Sequence, residues 1–208
     1  MIKIEKIHVY NFENSIRGLR NPLESWDKSD SYWSYDNNFE EERQYIIGEK
    51  DMSLALKLIN AGTDDSKFLR QIFVSMDITA PLYWWHDMDQ YKISTVTNST
   101  SIRKLGSKLL TTEDFSWDYI TPFREEILND LNKRIKIWQE TKNKELWTEI
   151  NQDMPKSYNY LKTWTGNYQN LRGLYHARKN HRLQEFKDFC KIIEGLPYSE
   201  FITNKIIK

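Results

Sequence analysis

The chain has 208 residues, with 30 Lys and Arg against 30 Asp and Glu and a formal net charge of zero. That length suits a single domain over residues 1–208, and 29% charged residues leave no apolar stretch near the roughly 20 residues of a membrane span. The one cysteine, Cys190, excludes a disulfide framework and a cysteine-rich zinc site, while neutrality argues against a long nucleic-acid track.

Residues 2–10 alternate in part and predict a half-buried strand. Asn21-Pro22 then breaks the chain. Residues 24–45 mix Ser, Asp and Glu with Trp26, Tyr32, Trp33 and Tyr35, and read as a loop or irregular helix with aromatic anchors. Residues 51–59 have helical spacing, and Ala61-Gly62 supplies a C-terminal cap. Residues 72–78 alternate, so their even-numbered side chains should face a core. Pro81 can open a helix that carries Tyr83, Trp84, Trp85 and His86. The Ser/Thr/Asn-rich residues 93–103 read as a loop.

The second half reads as helical. Thr121-Pro122 with Glu125 and Glu126 marks a helix start, and Ile127, Leu131, Ile135 and Trp138 recur at helical spacing. A shorter helix follows over 143–151. Pro155 is expected to open another, with Leu161, Trp164, Tyr168, Leu171 and Tyr175 on one face. An amphipathic stretch through Leu183, Phe186, Phe189, Ile192 and Ile193 stops at Gly195-Leu196-Pro197. The fold class is α+β, a small early antiparallel sheet packed with long C-terminal helices.

Few stretches carry chemistry. The four histidines form no HExxH pair and no Cys/His spacing, so no metal is expected, and P-loop, Rossmann and serine-hydrolase signatures are absent. His86-Asp87-Met88-Asp89 reads as acidic residues near the positive end of a helix, or as a polar cluster beside a ligand. Cys190, beside Phe189 and Ile192, reads as a buried, inert thiol. Residues 161–208 hold nine Lys and Arg against four acids, so the rest of the chain carries the matching excess of five negative charges. Arg178 and Arg182, four residues apart on one expected helix, can reach a single phosphate. The hydroxyls and amide of 95–101, followed by Arg103, form either a phosphate cradle or a plain turn.

The order of these pieces resembles the flavin-dependent thymidylate synthases, the ThyX family. A helix at 54–59 precedes a strand ending Ile78-Thr79-Ala80-Pro81, as in that family. The family's Arg-His-Arg-x-x-Ser-x-Asn-Glu-x-Ser-x-Arg is met, with one extra residue before Asn98, by Thr95, Asn98, Ser101 and Arg103. Near the C-terminus, Arg178 and Gln184 match the family's Arg and the Gln six residues later.

This resemblance implies a ThyX-like fold and transfer of a one-carbon unit to dUMP, with FAD, a folate and NADPH. It also implies a homotetramer with sites between subunits; the cysteine usage, charge balance and hydropathy separately lead us to expect a cytoplasmic setting with no nucleic-acid or membrane partner. Carried over residue by residue, it puts Ser101, Arg103 and Arg178 in the catalytic and nucleotide-binding set. Arg182 and Gln184 join them at the substrate, and Gln90, Tyr91, Lys92 and Asn98 fall at the cofactor positions.

The departures are specific. Arg-His-Arg is here Gln90-Tyr91-Lys92, the Glu after the Asn is Ser99, and Thr63-Asp64-Asp65-Ser66 lacks the family's flavin-contacting His. The nucleotide-phosphate positions are therefore better kept than the flavin positions. Two other readings follow: a non-catalytic ThyX-like scaffold that binds a nucleotide or protein, and a nucleic-acid-associated helical protein resting on the basic C-terminal segment. Tyr83, Trp84, Trp85 and Tyr91 either stack a ring or fill a core.

Overall fold

Alternating burial along residues 73–81 organises the molecule: Val74, Met76, Ile78 and Ala80 are sealed from solvent, while Phe73 is largely exposed. The computed structural model describes residues 2–35 and 43–204. Strand β1 (Lys3–Tyr10) leads into helix α1 (Phe12–Leu19). A two-stranded antiparallel pair, β2 (Tyr32–Tyr35) and β3 (Arg43–Ile46), precedes α2 (Glu49–Ala61). Strand β4 (Phe73–Pro81) passes directly into α3 (Leu82–Met88), followed by β5 (Val96–Ser99). Then come α4 (Pro122–Thr141), α5 (Lys144–Gln152), β6 (Asn159–Asn167), α6 (Tyr168–Arg178), α7 (Gln184–Glu194) and α8 (Glu200–Thr203).

The main sheet has the order β1-β4-β6-β5 and is antiparallel throughout. Met76 pairs with Trp164 and Val74 with Gly166, so the even-numbered faces of β4 and β6 share one core. That core is filled by residues of α1, α2, α3, α6, α7 and α8, among them Ile16, Ala55, Trp84, Leu171, Phe186 and Phe201. Each large apolar side chain buried there contributes about 1.5–3 kcal/mol. A second cluster joins α4 and α5 to the segment before them, through Leu105, Leu110, Phe115, Leu131, Ile135 and Ile150.

The strand at 73–81, the cap at Gly62 (φ 135°) and the Thr121-Pro122 helix start all form as the sequence indicates. So does the inert cysteine: Cys190 is 3% exposed, and burial pushes its thiol up to about 11.

Three expectations are corrected. Residues 155–167 are not helical. The spacing of Leu161, Trp164 and Tyr168 fits a helix, but Tyr160, Thr163, Trp164 and Thr165 suit a pleated surface, and β6 satisfies its backbone on both edges against β4 and β5. The expected α+β fold, a small antiparallel sheet packed with helices, forms, and β6 near residue 160 completes its sheet. The helix starts at Tyr168, where Asn167 and Asn170 cap each other reciprocally at 3.0 and 3.1 Å. Residues 96–99, read as loop, add β5 to the edge of β6, and residues 32–35 and 43–46 form strands rather than an irregular helix. The rest of that loop reading, residues 36–42, lies outside the described residues.

Candidate functional site

The site forms where β4 ends. Pro81 takes an extended conformation (φ −70°, ψ 156°) and caps α3, whose Trp84 and Trp85 drive into the core. Helix α3 has seven residues, so His86 and Asp87 fall at its C-terminal end. The expected placement of these acids at a positive helix end is thus reversed, and a cation must compensate them. Arg178, the last residue of α6, does so: its Nη1 lies 3.7 Å from Asp87 Oδ2.

A 3-10 turn over residues 89–91 brings Gln90 and Tyr91 to the same guanidinium. Arg178 Nε donates to the Tyr91 hydroxyl and Nη2 to Gln90 Oε1, both at 3.1 Å. The guanidinium also lies over the Phe186 ring at 5.2 Å. His181 approaches the same Asp87 Oδ2 at 3.9 Å through Nε2, while its Nδ1 accepts from the Leu183 N–H at 3.3 Å. That acceptance leaves the proton of a neutral His181 on Nε2, towards Asp87.

Beside this cluster opens a cleft of about 640 Å³, lined by Leu82, Tyr83, Trp85, His86, Asp87, Asp89, Lys156, Lys162 and Leu183. The Lys162 ammonium sits 4.4 Å from the Trp85 ring centre. Tyr83 donates to Glu185, and burial together with that carboxylate raises its phenol far above the ordinary range.

Other expected site residues lie elsewhere. Ser101 caps the 3-10 turn at 102–104, its hydroxyl accepting from the Arg103 N–H at 3.2 Å. It lines a groove of about 360 Å³ with Thr79, Thr100, Lys104, Lys108 and Tyr158, in which Lys108 is paired with Asp114 at 2.8 Å. Arg103 is exposed, and no hydrogen bond or ion pair joins it to Arg178 among the described residues. Asn98 stands on β5 opposite Thr163, and Lys92 is exposed in a small hollow with Thr95 and Thr97. Gln184, the first residue of α7, donates to Asp188 at 2.9 Å.

Arg178 and Arg182 do not share a helix, because α6 ends at Arg178 and Arg182 lies exposed in the link to α7. Their expected joint grip on one phosphate through helical spacing is therefore withdrawn.

Sequence reasoning missed Asp87 as the partner of Arg178. It also missed Arg172, 7% exposed, whose Nη1 donates to the carbonyls of Phe201, Ile202 and Asn204 at 2.8–3.3 Å. An arginine inside the run Leu171-Arg172-Gly173-Leu174-Tyr175 was the available signal, since a cation amid core positions needs buried acceptors. Among the described residues there is no cluster that could hold a metal ion, and no helix is long and apolar enough to cross a membrane.

This small antiparallel sheet packed with helices has the fold of solved flavin-dependent thymidylate synthases. Two structures of ThyX from Helicobacter pylori with FAD and dUMP superpose with TM-scores of 0.73 at 15% sequence identity. They cover 98% of this chain and 100% and 98% of their own. No protein-family model and no curated protein matches the sequence.

Proposed function

We propose that this chain is a divergent flavin-dependent enzyme of the thymidylate synthase type, transferring a one-carbon unit to a pyrimidine deoxynucleotide from a folate, with NADPH as the source of reducing equivalents. The supporting observation is that the two stretches carrying the resemblance meet in space: Arg178 of α6 donates to Gln90 and Tyr91, 88 and 87 residues earlier. The fold neighbours, complexed with FAD and dUMP, supply the ligand class.

The residues present fit a flavin. Lys92 is an exposed cation beside Ile93, whose carbonyl accepts from Asn170 of α6 at 2.7 Å. One residue before Asn170, Gln169 Oε1 is buried without a partner. A free cation for a diphosphate and an orphaned acceptor for a ring N–H are what such a cofactor needs. Lys92, Gln169 and Asn98 would hold FAD, with Gln90 and Tyr91 bracing the floor of its seat. Reduced FAD supplies the hydride. Ser101 and Arg103 bind and orient the nucleotide together with Arg178, and Arg182 and Gln184 border it. A homotetramer with sites between subunits, which the family resemblance implies, would let Arg103 of one chain and Arg178 of another share one nucleotide.

Flavin content decides the reading. Purified protein should show flavin absorbance as isolated or after incubation with FAD, and should bind a pyrimidine deoxynucleotide. Protein that takes up no FAD under any condition overturns it. A non-catalytic nucleotide-binding scaffold is the second reading, favoured by the commitment of Gln90 and Tyr91 to Arg178. Complementation of a thymidine auxotroph separates the two.

A further inference from the structure

Gln90 and Tyr91 fall at positions where the resemblance puts cofactor-holding cations, yet both accept hydrogen bonds from Arg178. We infer that Gln90 and Tyr91 are positioning residues for Arg178: they fill one edge of its guanidinium and leave the other aimed at an anionic group of the nucleotide. This rests on the nucleotide-binding role proposed for Arg178 above.

A guanidinium carries five N–H donors in a rigid fork, and Nε shares one edge of that fork with Nη2. Here the edge is filled, by the Tyr91 hydroxyl at Nε and Gln90 Oε1 at Nη2, both at 3.1 Å. The edge between Nη1 and Nη2 makes no hydrogen bond to any described residue. Asp87 Oδ2 stands 3.7 Å from Nη1, near enough to balance charge but beyond hydrogen-bond distance. Two parallel N–H groups on one edge are the arrangement that takes a phosphate or carboxylate bidentately.

The open edge has a fixed direction. The Arg178 side chain is only 14% exposed, and its guanidinium carbon lies 5.2 Å from the Phe186 ring centre and 5.6 Å from that of Tyr91. A long side chain at a helix end, held this way beforehand, loses little further freedom when a ligand arrives. Both acceptors are neutral, so they orient the cation without cancelling its charge. An arginine at residue 90 would offer Arg178 no acceptor and would repel it. The departures from the Arg-His-Arg pattern thus suit residues 90 and 91 to Arg178 rather than to a diphosphate.

A double-mutant cycle on dUMP affinity tests this in the full-length protein, by calorimetric titration at one fixed pH. Tyr91→Phe keeps the ring and removes only the acceptor. It should weaken dUMP binding on the order of tenfold, the scale of one hydrogen bond to a charged group. In an Arg178→Ala background the same substitution should weaken dUMP no further, and Tyr91→Phe alone should take up FAD as the wild type does. A merely structural role would lower the melting temperature and leave the two losses additive. Additive losses, wild-type dUMP affinity in Tyr91→Phe, or loss of its FAD uptake each overturn the positioning role while the one-carbon-transfer reading stands. Gln90→Leu carries the same cycle if Tyr91→Phe fails to fold. A wild type that binds no dUMP overturns both.

Discussion

Arg20 Nε lies 2.5 Å from Asp51 Oδ1 in the interior, with side chains 5% and 0% exposed. The pair is fully dressed. Ser29 and Ser31 donate to Asp51 Oδ2 at 2.6 Å, and Arg20 reaches Ser25 and the Lys28 carbonyl. The segment between α1 and β2 is thus pinned to the first turn of α2, and Asp30 in turn accepts from the N–H groups of Lys50 and Asp51.

Removing one partner strands the other. Asp51→Ala should cost about 3–5 kcal/mol, because it leaves a buried guanidinium uncompensated, and chemical denaturation would measure this. Burial alone would raise the Asp51 carboxyl, but hydrogen bonds from Ser29, Ser31 and Arg20 outweigh it and hold the group below its ordinary 3.8. A depressed folded value means stability present above pH 3.8 and lost as pH falls through the lower folded value. The acid limb of the stability curve should shrink in Asp51→Asn.

His176 gives a second pH dependence in a different window. Burial, then the nearby Arg172 and Lys179, push its imidazole below the ordinary 6.5, and its Nε2 is buried without a partner. Folding therefore favours the neutral ring. The resulting stability is present above pH 6.5 and is lost as pH falls through the lowered value. His176→Gln should flatten the change in melting temperature below pH 6.5, measured by thermal denaturation across pH.

Glycine substitutions check the inner face of β6. A Cβ on Gly166 would fall 2.3 Å from Trp164 Cζ2, so Gly166→Ala should destabilise by about 1–3 kcal/mol through overpacking. Gly173, on α6, has nothing within 4 Å of the equivalent position, and Gly173→Ala should stabilise by roughly 0.5–1 kcal/mol. Melting temperatures moving in the same direction for both would contradict this packing.

The two arginines of the proposed nucleotide site should part company in stability. Arg103→Ala and Arg178→Ala should each weaken nucleotide binding by about 1.5–3 kcal/mol. Arg103 is exposed, so its loss should leave the melting temperature unchanged. Arg178→Ala should lower it, since Gln90, Tyr91 and Asp87 lose their partner. Arg178→Lys should restore neither fully, because an ammonium cannot span the fork between Tyr91 and Gln90.

Legibility in the sequence followed the strength of local signals. Alternation from Ile72 to Ile78 and the Thr121-Pro122 start are written within single elements, and both form as expected. The β6 segment was misread because Leu161, Trp164 and Tyr168 span a strand-to-helix junction, where two periods run together and imitate one helix. The resemblance found Arg178 but not its clamp. Asp87 matters only through the length of α3 and the tertiary return of α6, neither of which a linear spacing records. The helical link between Arg178 and Arg182 failed for the same reason: the end of α6 has neither Gly nor Pro to announce it.

The strand order has a consequence for how the chain comes together. β6 lies between β4 and β5, yet it is separated from β4 by the whole of α4 and α5. During synthesis, β4 must wait with one unpaired edge and the uncovered apolar residues Val74, Met76 and Ile78 until residue 167 has emerged. Such long-range closure slows folding and leaves a sticky intermediate. The α4–α5 unit has its own small core and can assemble in the interval. Slow refolding, relieved by low protein concentration or a chaperone, is the behaviour this topology imposes.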